Sequence, residues 1–289
     1  MAEFPMAFAS DLHGRQECYY KLFSLVRREH PRAVFLGGDL LPSGSLLFTR
    51  GGSGQAGFLR EFLLPGLRAL RDALREDYPR FFLILGNDDA RSEEAAFREH
   101  EKDGLWQYMH FRRSWFGPYA VYGYSCVPPT PFALKDWERF DVSRFVDPGS
   151  IAPEEGRFSV EVVHEEKGLP TIQDDLLALC GVEPLAQAIF LFHSPPYRTQ
   201  LDRAALDGRQ VDGAPLDVHV GSIAIRRFIE ERQPLVTLHG HVHESARLTG
   251  SWQEKIGATH CFSAAHDGPE LAVVGFDPRR PEQAIRRLL

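Results

Sequence analysis

Five short apolar runs in this chain each end at side chains that commonly bind metal ions. Runs of this length, bounded by glycine or polar residues, are typical of buried β-strands. Side chains that follow the carboxyl ends of strands in an open α/β sheet share one crevice, so we expect these run ends to converge. They supply carboxylates, an amide and imidazoles, namely Asp11, His13, Asp39, Asn87, His193, His241 and His243. The sequence therefore predicts a metal site at a sheet edge.

Helical spacing of apolar residues alternates with these runs, which predicts an α/β fold with a parallel sheet. The aromatic and β-branched segment 106–127 predicts an antiparallel hairpin that turns at Gly117 and Pro118. We expect one domain over residues 1–289, with loop insertions near 41–57 and 128–170. The first insertion is either a lid over the site or a flexible connection. The expected elements are helices over 16–30, 58–76, 133–140 and 222–231, and strands over 235–238, 259–263 and 271–276.

The charge and cysteine content exclude several classes of protein. A net charge of -7 argues against a broad basic surface, so a nucleic-acid polymer is not an expected partner. The cysteines, Cys18, Cys126, Cys180 and Cys261, are far apart and form no zinc-knuckle spacing. The N-terminus lacks a basic segment followed by an apolar one, and no run approaches the roughly 18 apolar residues of a membrane helix. We therefore expect a soluble, cytoplasmic protein without a membrane partner.

The chemistry of the donor set favours two divalent cations. Carboxylate, amide and imidazole donors suit Mn, Fe, Zn or Ni, and the absence of thiolate donors argues against a structural zinc site. Two carboxylates leave a pair of dications with net positive charge, which favours phosphate binding and activates water. The donor set therefore predicts hydrolysis of a phosphoester.

The motifs DLHG, GGDLLP, GND, HSPP and GHVHES follow one another in the order found in calcineurin-like metallophosphoesterases. In detail the chain most resembles the branch of predicted phosphoesterases related to the bacterial cyclic nucleotide phosphodiesterase. The resemblance implies a four-layer α/β/β/α sandwich of two mixed sheets. It also implies two metal sites that share Asp39, one with Asp11, His13, Asp39 and His243, and the other with Asp39, Asn87, His193 and His241.

One position departs from the family, which commonly has histidine after the asparagine, whereas this chain has Asp88. A carboxylate there repels phosphate unless it is protonated or turned away. Loss of a general acid typically slows hydrolysis by about two to four orders of magnitude without abolishing it. Family members with a residue other than histidine at this position can remain active on phosphodiesters, so the resemblance favours phosphodiesters over alkyl monoesters. The candidate catalytic residues are Asp39, Asn87 and Asp88, and the candidate substrate contacts are Asn87, Tyr197 and Arg198.

The leading hypothesis is a phosphoesterase that hydrolyses a small phosphodiester or nucleotide by attack of a metal-bridging hydroxide. The alternative is a non-catalytic, protein-binding scaffold that retains this fold. A nuclease is disfavoured by the acidic charge. His239 and Asp89 either pack or orient the metal-binding loops, and His266 is interpreted as a surface-loop residue.

Overall fold

Two mixed six-stranded sheets form the centre of the computed structural model, which describes residues 5–43, 54–162 and 170–289. Most of the predicted 41–57 insertion therefore lies outside the described residues. The strands are β1 (Met6–Ala9), β2 (Ala33–Gly37), β3 (Arg80–Ile84), β4 (Gln107–Tyr108), β5 (Arg112–Phe116), β6 (Tyr119–Tyr124), β7 (Ala188–Phe192), β8 (Gln210–Val211), β9 (Ala214–Pro215), β10 (Val236–His239), β11 (Gln253–Ile256), β12 (Thr259–Ser263), β13 (Ala272–Phe276) and β14 (Ile285–Leu288).

The first sheet has the order β14-β13-β1-β2-β3-β4, in which β1 to β4 are parallel. Strands β13 and β14 extend it in antiparallel fashion beside β1. The second sheet has the order β11-β12-β10-β7-β6-β5, with a parallel centre and antiparallel edge strands. The parallel strands of each sheet consequently place their carboxyl ends at one edge.

The helices are α1 (Gln16–Glu29), α2 (Gly54–Phe58), α3 (Leu64–Leu74), α4 (Glu94–Glu99), α5 (Ile172–Cys180), α6 (Ile223–Arg232) and α7 (Ser245–Thr249). A π-helical turn over Leu59–Leu63 joins α2 to α3. Among the helices of the described residues, none is long and apolar enough to span a bilayer.

One hydrophobic core lies between the two sheets. Phe8, Phe35 and Phe82 of the first sheet share this core with Ile189 and Leu238 of the second. The rings of Phe35 and Phe82 stack with centroids 5.2 Å apart. Full burial of each such side chain stabilises the fold by about 1.5–3 kcal/mol. The sheets are thus held face to face by alternate residues of their strands.

The other face of each sheet is covered by helices. Val34 of β2 and Leu22 of α1 belong to the helix-side core, and Phe190 of β7 meets Phe228 of α6 with ring centroids 5.1 Å apart. Helices therefore cover the outside of two facing sheets, which confirms the four-layer α/β/β/α sandwich.

Most elements lie where the sequence predicts them. The predicted helix over 16–30 is α1, the helix over 58–76 begins earlier as α2 and continues as α3, and the helix over 222–231 is α6. Strands β5 and β6 form the predicted hairpin, with Gly117 at φ 58° in its turn. The strand predicted over 259–263 is β12, and those over 235–238 and 271–276 are β10 and β13.

The helix predicted over 133–140 is wrong. Lys135 and Glu138 have spacing typical of an exposed helical ion pair, but both side chains are fully buried and their charged atoms lie 2.6 Å apart. Lys135 Nζ also donates to the Thr130 carbonyl, and Glu138 accepts from the Thr130 N–H. The side chains of Lys135 and Glu138 thus bond the backbone of Thr130. Side-chain bonds to the backbone compete with the regular bonds of a helix, so this segment is an irregular loop.

A histidine beyond β4 makes the stability of the fold depend on pH. His110 Nδ1 accepts a hydrogen bond from the Ser125 backbone N–H at 3.0 Å, and its ring packs edge-on against Trp137. Burial, with added repulsion from Arg91 and Arg139, lowers the pKa of His110 from 6.5 to about 3. The unfolded chain therefore binds this proton more readily, so stability is lost as pH falls from 6.5 towards 3.

Replacing His110 by asparagine should flatten this acid dependence. The amide oxygen can accept the Ser125 N–H but does not titrate, so up to about 1.4 kcal/mol per pH unit of slope should disappear below pH 6.5. Urea unfolding of the metal-free protein between pH 4 and 8 measures this difference. Equal slopes in the native chain and the variant would contradict it.

Candidate metal centre

The predicted ligands follow the carboxyl ends of parallel strands in both sheets. Strands β1, β2 and β3 of the first sheet lead into loops with two carboxylates, an amide and one imidazole, and β7 and β10 of the second lead into loops with three imidazoles. In chain order these side chains are Asp11, His13, Asp39, Asn87, His193, His241 and His243. The two facing sheets therefore each supply part of one site.

The structure brings four of these residues into one cluster. One ligand atom from each of Asp11, His13, Asp39 and His243 lies within 4.8 Å of the others. His13 Nε2 is 3.1 Å from His243 Nε2 and 3.8 Å from Asp39 Oδ2, and Asp11 Oδ1 is 3.2 Å from His243 Nε2. This is the set that the resemblance implies for the first metal.

The remaining predicted ligands lie around His193. Its Nε2 lies 3.0 Å from Asn87 Oδ1 and 3.4 Å from Asp39 Oδ2, and its ring centroid is 5.2 Å from that of His241. Asp39 Oδ2 thus faces both His13 and His193. The geometry places Asp39 between the two groups, which is the position required of a shared ligand.

Four candidate ligands have an unusual backbone conformation. Asp11, His13, Asp39 and His241 have φ angles of 58°, 46°, 51° and 72°. Positive φ is uncommon for residues other than glycine and stores local strain, although aspartate and histidine tolerate it better than most. Strain of this kind clusters at functional sites, because the surrounding structure must hold it in place.

Glycines allow the loops of the two sheets to approach each other. A Cβ atom on Gly38 would lie 2.7 Å from His193 Nδ1, and one on Gly86 would lie 2.6 Å from His193 Cε1 and 2.5 Å from Asp39 N. His193 Nδ1 also donates to the Gly37 carbonyl at 2.7 Å, since a carbonyl only accepts. The Nε2 atom of His193 is thereby aimed at Asn87 and Asp39.

The carboxylates of the site favour positive charge on its imidazoles. Burial by itself lowers the pKa of a histidine, but Asp88, Asp39 and Asp11 raise that of His13 to about 9. Asp39 and Asp11 likewise raise the pKa of His193 to about 9 against the effect of burial. His241 differs, because burial and the neighbouring His193 lower its pKa to about 4. The carboxylates therefore outweigh burial at His13 and His193 but not at His241.

The donor set fits divalent cations. Asp11 Oδ1 accepts the His241 N–H at 2.9 Å, whereas Asp11 Oδ2 is buried and has no hydrogen-bond partner among the described residues. A buried polar atom without a partner is rare unless it serves a ligand or a reaction. Together with the converging imidazole nitrogens, it indicates a site for borderline cations bound by oxygen and nitrogen.

Asp89 joins the two loops that carry Asp39 and Asn87. Its buried carboxylate accepts the N–H groups of Leu40 at 3.0 Å, Leu41 at 2.7 Å and Gly86 at 2.9 Å. Burial and the charge of Asp39 raise the pKa of Asp89 to about 7. Asp89 therefore ties the loop that carries Asp39 to the loop that carries Asn87.

His239 and His266 lie outside the cluster of predicted ligands. His239 is fully buried, stacks on Phe192, and bonds the Ser194 carbonyl at 2.9 Å and the Thr237 hydroxyl at 2.8 Å. It therefore packs the second sheet and holds the loop after His193. His266 is partly buried and lies 3.0 Å from Glu270 Oε2.

Asp88 is anchored beside the cluster. Its N–H donates to Asp39 Oδ1 at 2.8 Å, and its carboxylate accepts the Ser43 hydroxyl at 2.7 Å. Gln55 Nε2 donates to the carbonyls of Asp88 at 2.8 Å and Pro42 at 3.0 Å. The sequence indicates no role for Ser43 or Gln55, because a serine and a glutamine in a Gly- and Ser-rich stretch form no distinctive pattern.

Tyr197 and Arg198 lie in the loop after β7, a few residues beyond His193. The Tyr197 hydroxyl donates to Asp217 at 2.5 Å, and the Arg198 guanidinium lies 5.3 Å from the centre of the Tyr197 ring. These contacts hold the pair against the loop that carries Asp217. Contact of either side chain with substrate stays a prediction.

Comparison with known proteins gives one family and a common fold. The sequence model described as calcineurin-like phosphoesterase matches residues 4–245. The chain is similar to the solved structure of TT1561 of Thermus thermophilus, with 18% identity and a TM-score of 0.54 over 98% of this chain and 97% of that one. It is also similar to a dimetal phosphatase from Danio rerio, with 12% identity and a TM-score of 0.51 over 98% and 95%. Among curated proteins no match was found.

Proposed function

This chain belongs to the calcineurin-like phosphoesterase family, and on that premise we propose that it is a dinuclear metal-dependent phosphoesterase that acts on a small phosphodiester or nucleotide. The observation that carries the proposal is the position of Asp39, whose Oδ2 faces His13 at 3.8 Å and His193 at 3.4 Å. One carboxylate between two groups of donors suits a pair of cations better than a single one.

Each of the two groups of residues would hold one cation. Asp11, His13, Asp39 and His243 would hold one, and Asp39, Asn87, His193 and His241 would hold the other. When bound, such cations polarise phosphoryl oxygens and lower the pKa of coordinated water. The two carboxylates offset only half of the charge of two dications, so the site keeps a net attraction for phosphate.

The preference for diesters follows from Asp88, which stands where the family commonly has histidine. The Asp88 side chain is 38% exposed and its carboxylate accepts from Ser43, so it presents negative charge and no proton donor beside the donor cluster. A phosphodiester carries one negative charge and an alkyl monoester carries up to two, so Asp88 should repel the monoester more strongly. Without a general acid, esters with good leaving groups should be favoured.

Hydrolysis of paired aryl substrates tests the proposal. The protein, loaded in turn with Mn, Fe, Zn or Ni, should hydrolyse bis(4-nitrophenyl) phosphate with a higher kcat/KM than 4-nitrophenyl phosphate. An Asp88→His variant should shift this ratio towards the monoester, since it restores a proton donor. Ser114→Ala, which removes a hydroxyl on β5 that donates to Gln107 of β4, is the matched control.

Two outcomes would overturn parts of this proposal. A native chain that binds two cations but hydrolyses neither ester with any of the metals would favour the non-catalytic scaffold. A higher kcat/KM for the monoester would overturn the diester preference while leaving the hydrolase intact.

A further inference from the structure

A serine lies between one candidate metal ligand and the carboxylate of Asp88. Ser43 Oγ is 2.7 Å from Asp88 Oδ2 and 2.9 Å from His13 Nδ1. His13 Nδ1 is itself 3.4 Å from Asp88 Oδ2. The three polar groups therefore form a short chain that runs from the Asp88 carboxylate to the imidazole, on the side of the ring opposite Nε2.

The number of hydrogens fixes the direction of this chain. A carboxylate only accepts, so the single hydroxyl hydrogen of Ser43 goes to Asp88. The Ser43 oxygen is then left with lone pairs, and its remaining partner, His13 Nδ1, must be the donor. When a cation takes the place of the second ring proton, an imidazole that keeps hydrogen on Nδ1 has its lone pair on Nε2, which is the nitrogen that faces Asp39 and His243.

We infer that Asp88 is a positioning residue, which acts through Ser43 to fix His13 as the Nδ1–H tautomer with Nε2 presented to the metal. The inference rests on the proposed metal centre. A carboxylate that supports a metal-binding histidine in this way fixes both the orientation and the basicity of the ring. It also gives a role to the residue at which this chain departs from its family.

The backbone around Asp88 is built to hold the carboxylate in this position. The Asp88 N–H is bound by Asp39 Oδ1 and its carbonyl by Gln55 Nε2. Gln55 is 7% exposed and its side-chain oxygen accepts the Ala90 N–H at 2.7 Å, while its Nε2 also reaches the Pro42 carbonyl next to Ser43. One buried amide therefore clamps the segments that carry Ser43 and Asp88.

The two candidate histidines that flank Asp39 differ in how their Nδ1 is held. His193 donates to the Gly37 carbonyl, which no side-chain substitution removes. His13 depends on Ser43 and Asp88, which can be substituted. Loss of the hydrogen bonds from His13 through Ser43 to Asp88 should therefore weaken cation binding at His13 and leave cation binding at His193 unaffected. This difference between the two sites distinguishes the inference from a general loss of metal affinity.

The experiment measures metal binding and the imidazole proton separately from hydrolysis. Calorimetric titration with Mn²⁺ should show that Asp88→Ala and Ser43→Ala weaken one binding step by about 10- to 100-fold, the usual effect of removing such a partner. Asp88→Asn keeps an acceptor oxygen for Ser43 and should recover part of the loss. Ser114→Ala is the control for a lost hydroxyl, and Asp72→Asn is the control for a lost exposed carboxylate.

The tautomer has a direct spectroscopic readout. In the zinc-loaded protein the Nδ1–H of His13 should give a slowly exchanging proton signal in nitrogen-correlated NMR spectra, assigned by its absence in His13→Gln. That signal should exchange faster or vanish in Asp88→Ala and Ser43→Ala. Slow exchange of the His13 Nδ1–H proton in the native protein, together with fast exchange in both variants, supports the inference.

Failure of the inference is distinguishable from failure of the proposed function. Unchanged Mn²⁺ affinity and an unchanged His13 signal in both variants, in a chain that still hydrolyses phosphodiesters, overturn the role of Asp88 alone. If Mn²⁺ affinity and the His13 signal change as expected but the native chain hydrolyses no phosphoester, the proposed enzymatic function is wrong and the positioning role of Asp88 is supported. A native chain that binds no cation overturns both.

Discussion

Replacing Asp39 by alanine should abolish binding of both cations and lower phosphoester hydrolysis by at least about a thousandfold, since loss of a mere supporting partner already costs about 10- to 100-fold. The reason is that Asp39 Oδ2 faces both donor groups, at 3.8 Å from His13 Nε2 and 3.4 Å from His193 Nε2. Equilibrium dialysis followed by elemental analysis measures the cations bound per chain, and a diester assay measures turnover.

The matched comparison is His243→Ala, which removes a ligand of one group only. His243 contacts Asp11 and His13, so this variant should retain the cation held near His193. Circular dichroism of both variants checks that each is folded. An Asp39→Ala protein that still binds two cations would show that this carboxylate is not shared.

Replacing Asp89 by alanine should have the second large effect, on stability as well as on the site. Three backbone N–H groups, those of Leu40, Leu41 and Gly86, would lose their acceptor in a buried location. Each unsatisfied buried donor costs about 1–3 kcal/mol, and entry of water would relieve part of the sum, so we expect a loss of about 3–5 kcal/mol. Urea unfolding of the metal-free protein measures the change.

Asp141→Ala separates the two consequences of losing Asp89. The Asp141 carboxylate accepts from the N–H groups of Ile223 and Ala224 and from the Ser222 hydroxyl at the start of α6. Its loss should destabilise the fold to a comparable degree without weakening metal binding. If Asp89→Ala binds Mn²⁺ as tightly as Asp141→Ala does, Asp89 only stabilises the fold and does not align Asp39 with Asn87.

The convergence of the donors could be predicted from the sequence because parallel strands end at one edge. Asp39 and Asn87 each follow an apolar run of strand length, and that local pattern suffices to bring them together once β2 and β3 pair. The pairing of two sheets face to face came from the family resemblance. The periodicity of individual strands does not specify which sheet a strand joins, and β13 illustrates this because it inserts antiparallel beside β1.

The parts that could not be predicted depend on contacts between residues distant in sequence. Lys135 and Glu138 have helical spacing, but the burial that makes them a loop-forming pair is decided by the packing around them. The link between Ser43 and Asp88 joins two loops that meet only in the folded chain. A polar residue in a loop has no periodic signal, so its partner is visible only in three dimensions.

The division of the site between two sheets has a consequence for the order of events during synthesis. The candidate donors Asp11, Asp39 and Asn87 of the first sheet are translated early. His241 and His243 of the second sheet follow more than half a chain length after Asn87. The first sheet is itself incomplete until β13 takes its place beside β1. The complete set of candidate donors can therefore form only after β10 and the loop that follows it have been synthesised, and a cation held by donors of both sheets would act as a cross-link that slows their separation.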